Sequence, residues 1–140
     1  MIIVLDTNVL VAATLSPFGA SFQILTMVPQ RRFELLLSVP LMLEYEEVLK
    51  RDDMCAQSHL TLDEVDILLD MLAAVGTPRT PFFRWRPQLS DPDDEMVLEL
   101  AANGPADVIV TVNIRDFLPA AVTFGVEVLR PGEFLRRLRS

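Results

Sequence analysis

The chain has 140 residues, 51% hydrophobic and 23% charged, with a formal net charge of −8, one cysteine and one histidine. That length and apolar content predict one globular domain, residues 1–140, which hides roughly 70% of the surface its unfolded chain would expose, and they exclude a disordered chain. With only Cys55 and His59 available, an intrachain disulfide and a Cys/His zinc centre drawn from one chain are excluded, and the single lysine, Lys50, follows no glycine-rich loop, which excludes a P-loop.

Met1 to Leu5 (MIIVL) is a continuous, β-branched apolar run and predicts a fully buried strand ending at Asp6. Asn8 to Leu15 follows as a helix, stopped by the turn Ser16-Pro17-Phe18-Gly19, and a second helical stretch runs from Ala20 to about Val28. Phe33 to Ser38 is the next strand and Pro40 to Lys50 the helix after it, with Ser38 or Val39 near its N-cap and Pro40 in its first turn. Thr61-Leu62-Asp63-Glu64 is a capping box, followed by apolar residues at helical spacing (Leu62, Val65, Leu68, Leu69, Leu72) and by Gly76 as the stop. Between Thr77 and Ser90 the prolines Pro78, Pro81 and Pro87 forbid a central strand and leave a loop or an edge strand. Asp91-Pro92 opens a helix through about Ala102, Asp107 to Thr111 is a buried strand, and Ile114 to Phe117 is a short helical turn. Val126 to Leu129 is a last strand and Pro131 to Leu138 a final helix. Alternation of short apolar strands with helices predicts an α/β fold with a parallel sheet covered by helices on both faces.

The functional groups this composition offers are carboxylates. His59 lies in the polar stretch Gln57-Ser58-His59 just before a helix cap, a poor setting for a catalytic triad. Asp6 stands at the carboxyl end of a buried strand, where open α/β sheets bind ligands, although Asp, Thr and Asn are also good N-caps. On the helix after the second strand, the apolar face of Leu41, Met42, Tyr45, Val48 and Leu49 puts Glu47 opposite it and Glu44 and Glu46 on its two borders, so that either of the latter could reach a crevice. Asp91 as N-cap and Pro92 at the first helical position need no function, but Asp93, Asp94 and Glu95 together exceed what a cap requires, and Asp94 is the one nearest the apolar rows Val97, Leu98 and Ala101. Asn113 and Asp116 follow another strand end, and a sheet whose order reverses between the two strands would make Asp6 and Asp116 neighbours. Convergent oxygen ligands with few histidines suit a hard divalent cation, Mg²⁺ or Mn²⁺. The charge balance disfavours nucleic-acid binding through a global positive field, but cations held by the acids would neutralise part of it.

The segments LDTNVL, DPDDEMVLELA, VTVNIRDF and GVEVLRPGEFL, with a glutamate in the helix after the second strand, resemble the PIN domain and in particular the VapC-like toxins of bacterial toxin–antitoxin pairs. The resemblance runs from about Ile2 to Leu135 and implies an α/β/α sandwich with a mostly parallel central sheet of about five strands. It implies a metal-dependent endoribonuclease whose catalytic and metal-binding acids are Asp6, Glu44, Asp94 and Asp116, supported by Thr7, Asn8, Thr111 and Asn113. The expected cofactor is Mg²⁺ or Mn²⁺ and the expected partners are an RNA substrate, a cognate antitoxin with a basic segment and a second copy of the chain. Arg115 is the arginine nearest the site in sequence and the candidate for the scissile phosphate, while Phe82 to Arg86 could stack unpaired bases, decorate a loop through cation–π contacts or form a dimer contact. No membrane span or signal peptide is visible and a cytoplasmic protein is expected. The rival functions are a catalytically silent domain that binds RNA or protein, and a metal-dependent phosphatase, against which Asp6-Thr7-Asn8 lacks a second aspartate two positions on.

Overall fold

A computed structural model describes the backbone of residues 1–80 and 92–140, and every side chain among them except those of residues 92, 93 and 120. Ile3, Val4 and Leu5 are all inaccessible to solvent. Because successive side chains in a strand point to opposite faces, this one strand shows that both faces of the sheet are covered, and it explains why the N-terminal run carries no polar alternation. The strands are β1 (Ile2–Leu5), β2 (Glu34–Leu37), β3 (Thr77–Pro78), β4 (Val108–Val110) and β5 (Glu127–Leu129). All pair in parallel, in the order β3-β2-β1-β4-β5. The chain therefore builds outward from β1 through β2 to β3 and then restarts on the other side of β1, which places the switch point between β1 and β4. There the register Ile3↔Val108, Val4↔Ile109, Leu5↔Val110 brings both carboxyl ends level, and the Asp6 N–H donates to the Val110 carbonyl at 3.0 Å.

Parallel strands need long crossovers, and here helices supply them. They are α1 (Thr7–Leu15), α2 (Ala20–Met27), which runs into a 3-10 turn at Val28–Gln30, α3 (Val39–Leu49), α4 (Asp52–Ser58), α5 (Leu62–Val75), α6 (Pro92–Asn103), α7 (Ile114–Phe124) and α8 (Pro131–Arg139). Among the described residues no single helix is long and apolar enough to cross a membrane. Among the described residues Tyr45, Phe117 and Phe134 are the largest fully buried side chains, and Phe134 meets Phe33 edge to face at 5.5 Å between ring centroids.

Most expected elements are present with shifts of a residue or two at their ends, and two are not as expected. Helix α4 has no counterpart in the pattern, because only Met54 in it is buried and a seven-residue helix with one inward residue shows no period. The expected turn at Ile114 to Phe117 is the start of a full helix, α7. Pro119 suggests a stop, but it lies on the exposed side while Phe117 and Ala121 face the core, so the helix gives up one backbone bond and continues. It ends at Gly125, whose φ of +71° is the left-handed C-cap geometry that glycine adopts without penalty. Gly76 does end α5, yet for another reason: its φ is −70°, and a Cβ there would stand 2.4 Å from Leu37 Cδ1. The residue must be small so that the end of α5 can press against β2. The segment from Thr77 enters the sheet as β3, a two-residue edge strand, which is where a proline is tolerated.

Candidate active site at the switch point

Asp6 follows β1 directly and is 6% exposed. It caps α1 only with its backbone, whose carbonyl accepts from the Val9 N–H at 3.0 Å; its side chain makes no capping bond. The carboxylate instead accepts a hydrogen bond at Oδ2 from Thr111 Oγ1, 2.8 Å away. Thr111 follows β4 and is completely buried. Its oxygen also accepts from Asn8 Nδ2 at 3.3 Å and from the Asn113 N–H at 3.0 Å. A hydroxyl has one proton and two lone pairs, so the two incoming donors leave the Thr111 proton committed to Asp6. Asn8 completes the bridge across the switch point by accepting from the Val112 N–H at 3.3 Å.

The second acid arrives on α3. Ser38 starts that helix, its side chain accepting from the Leu41 N–H at 3.2 Å, and the turn that follows carries three glutamates to different places. Glu44 accepts at Oε2 from Thr7 Oγ1 at 2.7 Å, which ties α3 to the first residue of α1. Glu46 goes the other way, to Lys50 Nζ at 3.2 Å, and Lys50 in turn holds Asp66 of α5 at 2.6 Å. Glu47 pairs with Arg51 at 3.3 Å on the exposed side. Of the two glutamates on the borders of the apolar face, Glu44 is therefore the one turned toward Asp6.

Tyr45 joins the two acids. It is fully buried and its hydroxyl donates to the Leu5 carbonyl at 2.5 Å. Burial pushes its phenol well above the ordinary tyrosine range, and the Asp6 and then the Glu44 carboxylate add to the rise, so the ring is neutral and both carboxylates act on it. The sequence pattern marks Tyr45 only as part of an apolar face. The available signal was its hydroxyl, because a buried tyrosine needs a partner for its O–H.

The other predicted residues stand in the first turns of α6 and α7, beside them, or outside the described residues. Asp94 is the third residue of α6, half-buried above the fully buried Val97, Leu98 and Ala101. Asp91, Phe82, Phe83, Arg84, Trp85 and Arg86 lie outside the described residues, as does the side chain of Asp93. Asp116 lies in the first turn of α7, exposed, and its side chain makes no hydrogen bond or ion pair among the described residues. Asn113 caps α7 by position, without a side-chain bond, and Arg115 beside it is exposed.

Among the described residues no three His, Cys, Asp or Glu side chains are grouped as they would be around a metal ion. The donor chemistry nevertheless fits a hard divalent cation: a buried aspartate and a neighbouring glutamate, each with one oxygen fixed by a threonine hydroxyl. Mg²⁺ in particular is usually held by one or two carboxylates with water completing its shell. A separate groove of about 750 Å³, lined by Leu15, Phe22, Leu25, Ile67 and Met71 among others, contains none of the four candidate acids. Its apolar walls are unsuited to a phosphodiester.

A model of the PIN domain covers residues 2–115, a span that takes in Asp6, Glu44 and Asp94 and stops one residue before Asp116. No curated protein matches the chain.

Proposed function

The chain belongs to the PIN domain family, whose members are generally metal-dependent nucleases, and from that premise we propose a Mg²⁺- or Mn²⁺-dependent endoribonuclease that works at the switch point. One observation carries the reading: the Asp6 carboxylate is buried, is not used to cap α1, and is held by Thr111 beside a second carboxylate, Glu44, held by Thr7. Burying a carboxylate is unfavourable unless something compensates it, and a bound cation does so.

Asp6 and Glu44 would hold the cation, with Asp94 and Asp116 contributing from the first turns of α6 and α7 when the site is loaded. When bound, a divalent cation supplies a Lewis acid for water and countercharge for the transferring phosphate. Thr111 and Thr7 each lock one oxygen of their carboxylate, so both acids are oriented before substrate arrives. Asn8 and Asn113 set the Thr111 hydroxyl, and Arg115 meets the scissile phosphate.

The resemblance to VapC-like toxins supports a toxin role in the cytoplasm, with a homodimer as the working form and an antitoxin whose basic segment enters the acidic site. A chain at −8 favours such a partner through charge-assisted hydrogen bonds. The test of the activity is incubation of purified protein with mixed RNA and Mn²⁺. Cleavage that stops in excess EDTA is expected; undiminished cleavage in EDTA, or hydrolysis of phosphomonoesters but not RNA, would overturn it.

A further inference from the structure

Tyr45 is the only tyrosine of the chain, and its hydroxyl bonds to a carbonyl with a particular place in the sheet. The backbone polar groups of a strand alternate between its two neighbours. In β1 the Met1 carbonyl accepts from the Glu34 N–H on the β2 side at 2.8 Å, while the Asp6 N–H donates to Val110 on the β4 side at 3.0 Å. Leu5, an even number of residues from Met1, therefore presents its carbonyl toward β2. The pairing of β1 with β2 ends at Ile3↔Leu35, and after Leu37 the chain leaves β2 to begin α3 with Ser38 as cap. The tyrosine hydroxyl thus stands where a strand N–H would otherwise bond, one residue before Asp6.

The other end of the same ring is carried by the residue after Glu44. A second bond, from Thr7 Oγ1 to Glu44 Oε2, closes the circuit at 2.7 Å. Leu5-Asp6-Thr7 and Glu44-Tyr45 are cross-linked twice, with Asp6 between the two attachment points. If the position needed only bulk, phenylalanine would fill it without a polar atom to satisfy. Resting on the metal-nuclease reading above, we propose that Tyr45 is a positioning residue, a rigid strut that sets the separation of Asp6 and Glu44 so that both can ligate one divalent cation. Rotation about the ring–hydroxyl bond leaves the oxygen in place, so with the ring fully buried the hydroxyl oxygen holds a set position against the end of β1.

The test is Mn²⁺ titration of the wild type and Tyr45→Phe, with free Mn²⁺ read by electron paramagnetic resonance and folding checked by melting in EDTA. The variant keeps the ring and loses the bond. Its Mn²⁺ dissociation constant is expected to rise about 10- to 100-fold, the usual effect of removing a partner that orients metal ligands. RNA cleavage should fall at low Mn²⁺ and recover as Mn²⁺ is raised. A variant that melts earlier but binds Mn²⁺ with wild-type affinity overturns the proposal. Failure of the wild type itself to bind Mn²⁺ overturns the metal-site reading and the strut with it, and shows before any variant is made. Should Tyr45→Phe not fold, 3-fluorotyrosine at this single tyrosine gives one ¹⁹F resonance: Mg²⁺ should shift it and Mn²⁺ should broaden it. A resonance that ignores both ions overturns the proposal.

Discussion

A carboxylate at a strand end can serve a helix or a ligand, and the two uses leave different hydrogen bonds behind. Asp6 gives its backbone to α1 and its side chain to Thr111, so replacing the carboxylate by an amide should spare the helix start. We expect Asp6→Asn to abolish cleavage while melting in EDTA at or above the wild-type temperature, because one of two adjacent negative charges is removed. Mg²⁺ should then raise the melting temperature of the wild type more than that of the variant; a variant that loses several °C in EDTA would mark Asp6 as a structural hub. Tyr45 predicts a second effect. Its folded phenol titrates well above the ordinary value, through burial and then Asp6 and Glu44. Below about pH 10 the phenol is protonated in both states and folding is indifferent to it; above that the unfolded chain loses the proton first, and stability falls by up to about 1.4 kcal/mol per pH unit. Lys50, raised by its hydrogen bonds to Asp66 and Glu46, has the same sign in that range, so denaturant melts of wild type against Tyr45→Phe between pH 9 and 11 isolate the tyrosine; parallel curves would contradict its burial. At this scale the sequence narrows the choice without making it. Glu44 and Glu46 sit symmetrically about the apolar face, and what separates them is Lys50 and Asp66 on one side and Thr7 on the other, contacts made across 16 and 37 positions of chain.

Among the elements, the ones that local chemistry specifies are the ones the sequence shows. The Thr61 to Glu64 capping box is formed in both directions, each bond 3.1 Å long, and Thr61→Ala should cost about 1 kcal/mol in a chemical melt. Gly125 carries a different demand: there is open space for a Cβ, but the left-handed backbone makes Gly125→Ala cost about 1–2 kcal/mol. No loss on that substitution would mean that α7 ends differently. Elements defined by tertiary contact were not legible. Helix α4 shows too little of its length to the core to have a period, and α7 passes through Pro119 because Phe117 and Ala121 anchor it on the other side. Packing outweighs a single missing backbone bond.

For the whole molecule, topology does what no single motif can. Asp6 and Thr111 are 105 positions apart and become hydrogen-bonded because β4 pairs beside β1 rather than beside β3. Alternating strands and helices allow that reversal without requiring it, and the placement of Asp94 and Asp116 relative to Asp6 depends on how α6 and α7 lean at their first turns, which no pattern encodes. Charge is also distributed by the fold. Arg136, Arg137 and Arg139 crowd the last turn of α8, where they complement the helix dipole and where Arg137 clasps Glu127 at 2.5 and 2.7 Å. Arg32 reaches the same end of the molecule, donating to the Leu138 carbonyl at 2.5 Å. The strand ends at the switch point are left acidic. A basic antitoxin segment entering there should co-purify with the chain at low salt and loosen as ionic strength rises; a chain expressed without harm to its host and without a bound partner would contradict the toxin role while leaving the nuclease intact. The central claim is that cleavage is done at Asp6 and Glu44, and the most direct test of it is the initial rate of Mn²⁺-dependent cleavage of a labelled single-stranded RNA by wild type, Glu44→Gln and Glu46→Gln. A site at Asp6 and Glu44 requires that Glu44→Gln be inactive, or nearly so, while Glu46→Gln, which leaves Lys50 its bond to Asp66, cleaves at the wild-type rate. An active Glu44→Gln, or an inactive but folded Glu46→Gln, would contradict it.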